Sequence, residues 1–222
     1  MSKLKLENFK WKWQDTFSVI AGLLSLGYAL INYNQLPPQL PAQFGITGEV
    51  NTYWDKDSLI AVFGTLAVLW PFLLQFTRII DPKRENYKKF ENAHAMIRLA
   101  VALLFDACLV LSVTYGLDKD IPVYNILLAA LGLMFIVIGN FMPQLKHNYF
   151  LGIRTPWTLA SPKVWRKTHR LSGICWAAAG LLFIAGALLP QILSIPVIIT
   201  GLVAATVPPM FYSWYISNQA GD

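Results

Sequence analysis

Six apolar runs decide what this chain can fold into. A helix that crosses a bilayer needs roughly 17–25 predominantly apolar residues, and such runs cover residues 16–33, 58–80, 95–117, 121–142, 173–189 and 192–216. Composition agrees: 55% of the 222 residues are hydrophobic and only 14% are charged, against about 25% charged in an ordinary soluble domain. The expected fold is an all-α integral membrane protein, a bundle of about six transmembrane helices. Pro190-Gln191 separates the last two runs and should make them a tight antiparallel hairpin. Val207-Pro208-Pro209 should kink or break the last helix, since proline removes a backbone donor and clashes with the preceding turn. Cys108 and Cys175 lie within apolar runs and read as small hydrophobes, not as a disulfide or zinc framework.

The net charge of +6 is compatible with nucleic acid or with membrane topology, and its distribution selects the second. Lys3, Lys5, Lys10 and Lys12 precede the first run; Arg78, Lys83, Arg84, Lys88 and Lys89 follow the second; Lys146, Arg154, Lys163, Arg166, Lys167 and Arg170 follow the fourth. The other two polar connections carry only Lys56 and Lys119. By the positive-inside rule both termini and the two basic connections are cytoplasmic, and residues 35–57 are outside. No direct contact with nucleic acid is expected. The first run is too long for a signal-peptide core and lacks small residues before a cleavage site, so it reads as a retained span.

The most unusual basic stretch is 148–170, NYFLGIRTPWTLASPKVWRKTHR, with two tryptophans and no acid. Ser161-Pro162 is a helix start, serine as cap and proline at the first position. From there a short amphipathic interfacial helix is expected on the cytoplasmic side. Trp165, Thr168, His169 and Ser172 share one face, and Lys163, Arg166, Lys167 and Arg170 spread over the rest. Tryptophan at headgroup depth and cations near anionic membrane lipids suit such a helix. Gly152 and Thr155-Pro156 flank Arg154 with a turn that aims its guanidinium. Two readings follow: a topology signal with an aromatic belt, or an anion- or partner-binding site built from Asn148, Arg154, Trp157, Trp165, Arg166, His169 and Arg170.

Within the third run, Asp106 is an intramembrane carboxylate that must face the bundle, pair or be protonated. Arg98 lies eight residues earlier, about 12 Å along the helix, too far to pair with it and expected to snorkel towards the interface. His94, His147 and His169 fall on the inner side without ligand-like spacing, so no metal and no cofactor is implied. Nucleophile motifs, paired catalytic carboxylates and phosphate-cradling glycine loops are absent from the sequence. The outer connection favours extended polyproline geometry over residues 36–41, with turns at Gly45 and Gly48, making a packed lid.

Several stretches resemble the SdpI family of bacterial membrane proteins: Gly139-Asn140-Phe141-Met142-Pro143, residues 148–159, then Val164-Trp165-Arg166-Lys167-Thr168-His169-Arg170 and Gly173. The outer segment LPPQLPAQFGITGEVNTYWDK resembles the DUF1648 domain often joined to that family, which divides the chain into 1–92 and 93–222. Gln43 and Asn51 stand where that pattern usually has histidine and aspartate, which weakens a metal or acid-base role there. Gln43, Glu49, Asn51 and Lys56 remain the outer-loop candidates. The resemblance implies a non-enzymatic immunity and signalling protein. Its partners would be a secreted killing peptide outside and an ArsR-type transcriptional repressor held at the membrane inside. A small transporter or membrane enzyme acting on a lipophilic substrate, with Asp106, Arg154 and His169 as its polar machinery, is the alternative.

Overall fold

Every apolar run is a helix. The computed structural model describes residues 9–45, 48–118 and 121–219, so Lys3, Lys5 and Lys119 of the charge count lie outside the described residues. The order is α1 (Trp13–Ile31), β1 (Gln39–Phe44), β2 (Val50–Asp55), α2 (Lys56–Ile80), α3 (Glu91–Gly116), α4 (Val123–Phe141), α5 (Pro156–Ala160), α6 (Pro162–Leu188) and α7 (Gln191–Gln219). All the helices except α5 are long and apolar enough to cross a membrane, six in number.

The burial pattern suits lipid and not water. On α1 the buried face is Gln14, Asp15, Ser18, Gly22, Ser25 and Ala29, whereas Phe17, Ile20, Leu23, Leu24 and Ile31 are exposed. A soluble amphipathic helix does the reverse; in a bilayer, polar groups turn to the bundle interior and apolar ones to the acyl chains. α3 is the most enclosed span, packing against α1, α2, α4 and the strand pair.

Chain direction alternates from span to span, which gives the bundle two unlike ends. At one end lie the start of α1, the connections 81–90 and 142–161, and the end of α7. The side chain of Gln75 donates to the Lys10 carbonyl (2.6 Å) and Thr155 meets Ser213 (3.0 Å) across this end. All the described lysines and arginines except Lys56 belong to it, so we call it the basic end. At the other end β1 and β2 form an antiparallel hairpin, seated on α3 by a bond from the Ser112 hydroxyl to the Pro41 carbonyl (2.7 Å).

α4 and α6 meet backbone to backbone. A Cβ on Gly180 would lie 2.5 Å from the Gly132 carbonyl oxygen, and one on Gly173 would lie 2.8 Å from that of Gly139. Glycines seven residues apart on both helices thus make one seam, the close approach that small residues permit where lipid supplies no hydrophobic drive.

Three expectations change. The short interfacial helix is not separate: residues 162–171 are the first turns of α6, because nothing breaks the backbone before Gly173 and the Trp165 face packs on protein. α7 is not broken by its prolines: it continues through Pro196, Pro208 and Pro209, as membrane helices can. The outer lid is packed, but as a hairpin, not as polyproline: β1 takes up Leu40-Pro41 with register shifts on either side of Gln43.

Candidate functional site

The connection 145–161 is held shut by its own polar groups. Asn148 is fully buried; its amide nitrogen donates to the carbonyls of Lys146 (2.9 Å) and Leu151 (3.1 Å), and its oxygen accepts from the amides of Phe150 (2.9 Å) and Leu151 (2.7 Å). Every capacity of the side chain is spent on the loop. Asp81, at the end of α2, accepts from the Tyr149 amide (2.9 Å), the Tyr87 hydroxyl (3.0 Å) and the Lys83 amide (2.6 Å). This buried carboxylate ties the two basic connections together. Burial, with Asp81 beside it, pushes the Tyr87 phenol well above its usual range. Lys83 Nζ lies 2.8 Å from His147 Nδ1. An ammonium only donates, so that ring nitrogen is unprotonated. Burial and the Lys83 charge hold His147 below the ordinary histidine pKa.

Trp165 and His169 form the floor. Their rings stack at 3.9 Å and 19°, and the indole N–H donates to the Leu145 carbonyl (2.9 Å). His169 Nε2 accepts from the Ile153 amide (3.1 Å), so Nδ1 carries the proton and donates to the Trp165 carbonyl (2.8 Å). The ring is neutral, with both nitrogens engaged. Gly152, at φ +103°, passes directly over it; a Cβ there would lie 2.2 Å from His169 Nε2. Trp165, expected at headgroup depth, is instead a core residue at 2% exposure, because helical spacing cannot say whether a face looks at lipid or at protein. Thr155 caps α5, accepting from the Thr158 amide (3.2 Å).

What this framework presents outward is charge. Arg154 is exposed and donates from Nη1 to the Tyr149 carbonyl (2.9 Å), which leaves the rest of its fork free to face an anion. Arg166 and Arg170 are exposed one turn apart on α6, and Trp157 is half-buried on α5. Of the seven inner candidates, Asn148, Trp165 and His169 therefore hold the loop, while Arg154, Trp157, Arg166 and Arg170 are available for contact.

Asp106 stands apart from them. It is buried between α3 and α1, accepts at Oδ1 from the Ser25 hydroxyl (2.7 Å), and has no partner at Oδ2. Arg98 does not snorkel. It is 1% exposed and forks onto Asp15, itself 1% exposed, with Nε to Oδ1 and Nη2 to Oδ2 both at 2.9 Å; a further nitrogen donates to His94 Nδ1. Asp15 also accepts from the Lys12 amide at the start of α1 (2.9 Å). Pairing across helices avoids the cost of two isolated buried ions. Arg78 and Glu91 (2.6 Å) stitch α2 to α3 similarly.

At the hairpin end, Lys56 is a staple, donating to the carbonyls of Tyr33 (3.2 Å) and Leu36 (3.4 Å) with its ammonium 4.1 Å above the Tyr33 ring. Gln43 accepts weakly from Thr52 (3.4 Å). Glu49 and Asn51 flank the turn and are exposed.

Sequence reasoning missed Asp15, Asp81, Lys83 and the glycine seam. Asp15 was findable: an acid within a basic stretch at a span's first turn needs a cation, and Arg98, set inside a neighbouring run, answers it.

Residues 144–213 match the SdpI/YfhL protein family and residues 20–69 match the domain of unknown function DUF1648. The chain is 24% identical over 169 residues to "Immunity protein SdpI" of Bacillus subtilis (strain 168), an alignment covering 76% of this chain and 79% of that protein. No solved structure matches the chain. The connection 145–161 and the α6 side of the glycine seam thus fall within the SdpI/YfhL match, the hairpin falls within the DUF1648 match, and the chain is a multi-pass membrane protein similar to SdpI/YfhL proteins in the one segment and to DUF1648 in the other.

Proposed function

We propose that the protein confers immunity to a secreted killing peptide, without catalysis, by recognition at the hairpin end and docking at the basic end. The hairpin end lies outside the cell, and the termini and both basic connections lie in the cytoplasm. One observation carries the reading: the polar groups do not converge. Asp106 answers to Ser25 inside α1–α3, His169 has both nitrogens committed to its own loop, and Arg154 is at the surface. An enzyme or carrier needs such groups around one substrate. A receptor needs two built ends and a stiff connection, and α3 supplies it: the hairpin sits on its last turns, and Asp15 and Glu91 brace its first turns. The likeness to an immunity protein supports the same role. The docking partner is a cytoplasmic ArsR-type repressor, met by Arg154, Arg166 and Arg170.

The test is survival of cells with and without the protein under challenge by secreted antimicrobial peptides. Protection by the intact chain is expected. Arg154→Lys should abolish it, since lysine supplies charge without a planar fork, and Arg166→Lys and Lys167→Arg should be mild. Asp106→Asn should preserve it, because the amide oxygen still accepts from Ser25; a collapse at normal membrane levels would favour a transporter. Absence of protection against every peptide tried would refute the immunity reading. An unchanged cytosolic fraction of the repressor would refute the docking.

A further inference from the structure

A trough of about 1080 Å³ runs along the outer side of the α4–α6 seam. Its floor is backbone, since Gly139 and Gly173 bring the helices into contact and contribute no side chain to fill it. Its walls are apolar: Ile136 on α4, and Ile174, Ala177, Ala178 and Leu181 on α6. Ile174 and Leu181 are 68% and 62% exposed, so the trough opens towards the surrounding acyl chains. At the basic end its mouth is Arg166, Lys167 and Arg170, with the exposed amide of Asn140 just below. No acidic residue lines it, and among the described residues none of the three cations meets a carboxylate.

Depth decides what fits. From Arg170 to Leu188 the helix rises about 27 Å at 1.5 Å per residue, close to the roughly 30 Å hydrocarbon thickness. Arg170 therefore stands at the hydrocarbon boundary, and Arg166 and Lys167 one turn further out, level with headgroup phosphates. From Arg170 to Leu181 the apolar trough extends about 16 Å, a depth that acyl chains occupy and that a water-soluble peptide or free anion does not.

We propose that this trough is a binding site for one phospholipid with an anionic headgroup, drawn from the leaflet at the basic end. The phosphate sits between the guanidinium groups of Arg166 and Arg170, which are four residues apart and so on one face of α6. Lys167 beside them disfavours the ammonium of a zwitterionic headgroup, and one acyl chain lies along the glycine seam. The site does not rest on the immunity reading, although it engages Arg166 and Arg170, which that reading offers to a docking partner.

The experiment uses the full chain in nanodiscs of phosphatidylcholine with a minor fraction of phosphatidylglycerol, reading lipids retained after stepwise delipidation by native mass spectrometry. Retention of one phosphatidylglycerol in preference to phosphatidylcholine is expected. Arg166→Ala with Arg170→Ala should lower that preference about 30-fold, at roughly fivefold per cation near an anionic surface. Ala178→Phe keeps every charge, sits on an exposed position and fills the trough, and should also release the lipid. Lys163→Ala, outside the trough, should leave retention unchanged. Equal retention of the two lipids would overturn the proposal. So would an Ala178→Phe protein that still holds the lipid, which would reduce the mouth to a surface charge effect. Displacement by soluble glycerol phosphate as effective as by phosphatidylglycerol would make it a phosphate site and overturn the lipid assignment.

Discussion

Single side chains in this bundle are decided by what they meet from another element or connection, and the Arg98–Asp15 pair and His147 give measurable consequences. Arg98 and Asp15 come from positions 83 apart in the chain and exclude water from one another. Removing one partner leaves an uncompensated buried ion, so Arg98→Leu should destabilise the protein by about 3–5 kcal/mol, and Arg98→Leu with Asp15→Leu should recover much of that loss. Thermal unfolding in detergent compares the three; additive losses in the double variant would contradict a dedicated pair. His147 offers a pH test. Its folded pKa is lowered by burial and by Lys83, so the unfolded chain binds more protons at mildly acidic pH. Stability should therefore be full above the unfolded histidine value of about 6.5 and fall as pH drops through and below it. His147→Gln retains an acceptor for Lys83 but does not titrate, so its melting temperature should decline less between neutral and mildly acidic pH. Parallel pH profiles would assign the loss to other groups.

At the scale of elements, the glycine seam makes the sharpest claim. A methyl on Gly180 would press on the Gly132 carbonyl at 2.5 Å and the Ile136 amide nitrogen at 2.8 Å, both backbone, so the helices must part. Gly180→Ala should cost about 1–3 kcal/mol, as overpacking does. Gly27→Ala on α1 meets nothing within 4 Å and should be neutral within about 1 kcal/mol; equal effects in a melting comparison would deny the seam its role. The same elements show what can be read without coordinates. Span positions were legible because twenty-odd apolar residues have few other uses, and the α6–α7 turn was legible from Pro190. Facing was not. In water, an apolar stripe points to the core; in a bilayer, both lipid and core accept it, so Trp165 at helical spacing gave no sign that it packs on His169 and Leu145. The pairing of Arg98 is illegible from its own run for a related reason: the carboxylate that answers it belongs to α1 and not to α3. The hairpin was obscured by Pro41, which has no amide to donate to a ladder but sits here in β1 beside a register shift.

Taken as a whole, the molecule is polarised. Lys56 is the single described lysine or arginine at the hairpin end, and it is bound to the carbonyls of Tyr33 and Leu36, whereas Lys10, Lys12, Lys83, Lys146, Arg154, Lys163, Arg166, Lys167 and Arg170 crowd the other. Cations resist transfer during insertion, and the bias of short connections sets orientation. Because all six spans alternate, fixing one connection fixes every other. Arg98 and Arg78 do not blur this count, since both are buried against carboxylates. The basic end should therefore face the cytoplasm and the hairpin the exterior. In a protein with Cys108→Ala and Cys175→Ala, a membrane-impermeant maleimide applied to intact cells should label Asn51→Cys, which is exposed beside the hairpin turn, and should not label Lys163→Cys, exposed at the start of α6. Lys163→Cys should become reactive once the membrane is permeabilised, which separates shielding by the bilayer from burial in the protein. Labelling of Lys163→Cys in intact cells, with Asn51→Cys silent until permeabilisation, would invert the orientation. It would also move the docking surface at Arg154, Arg166 and Arg170 out of a cytoplasmic repressor's reach.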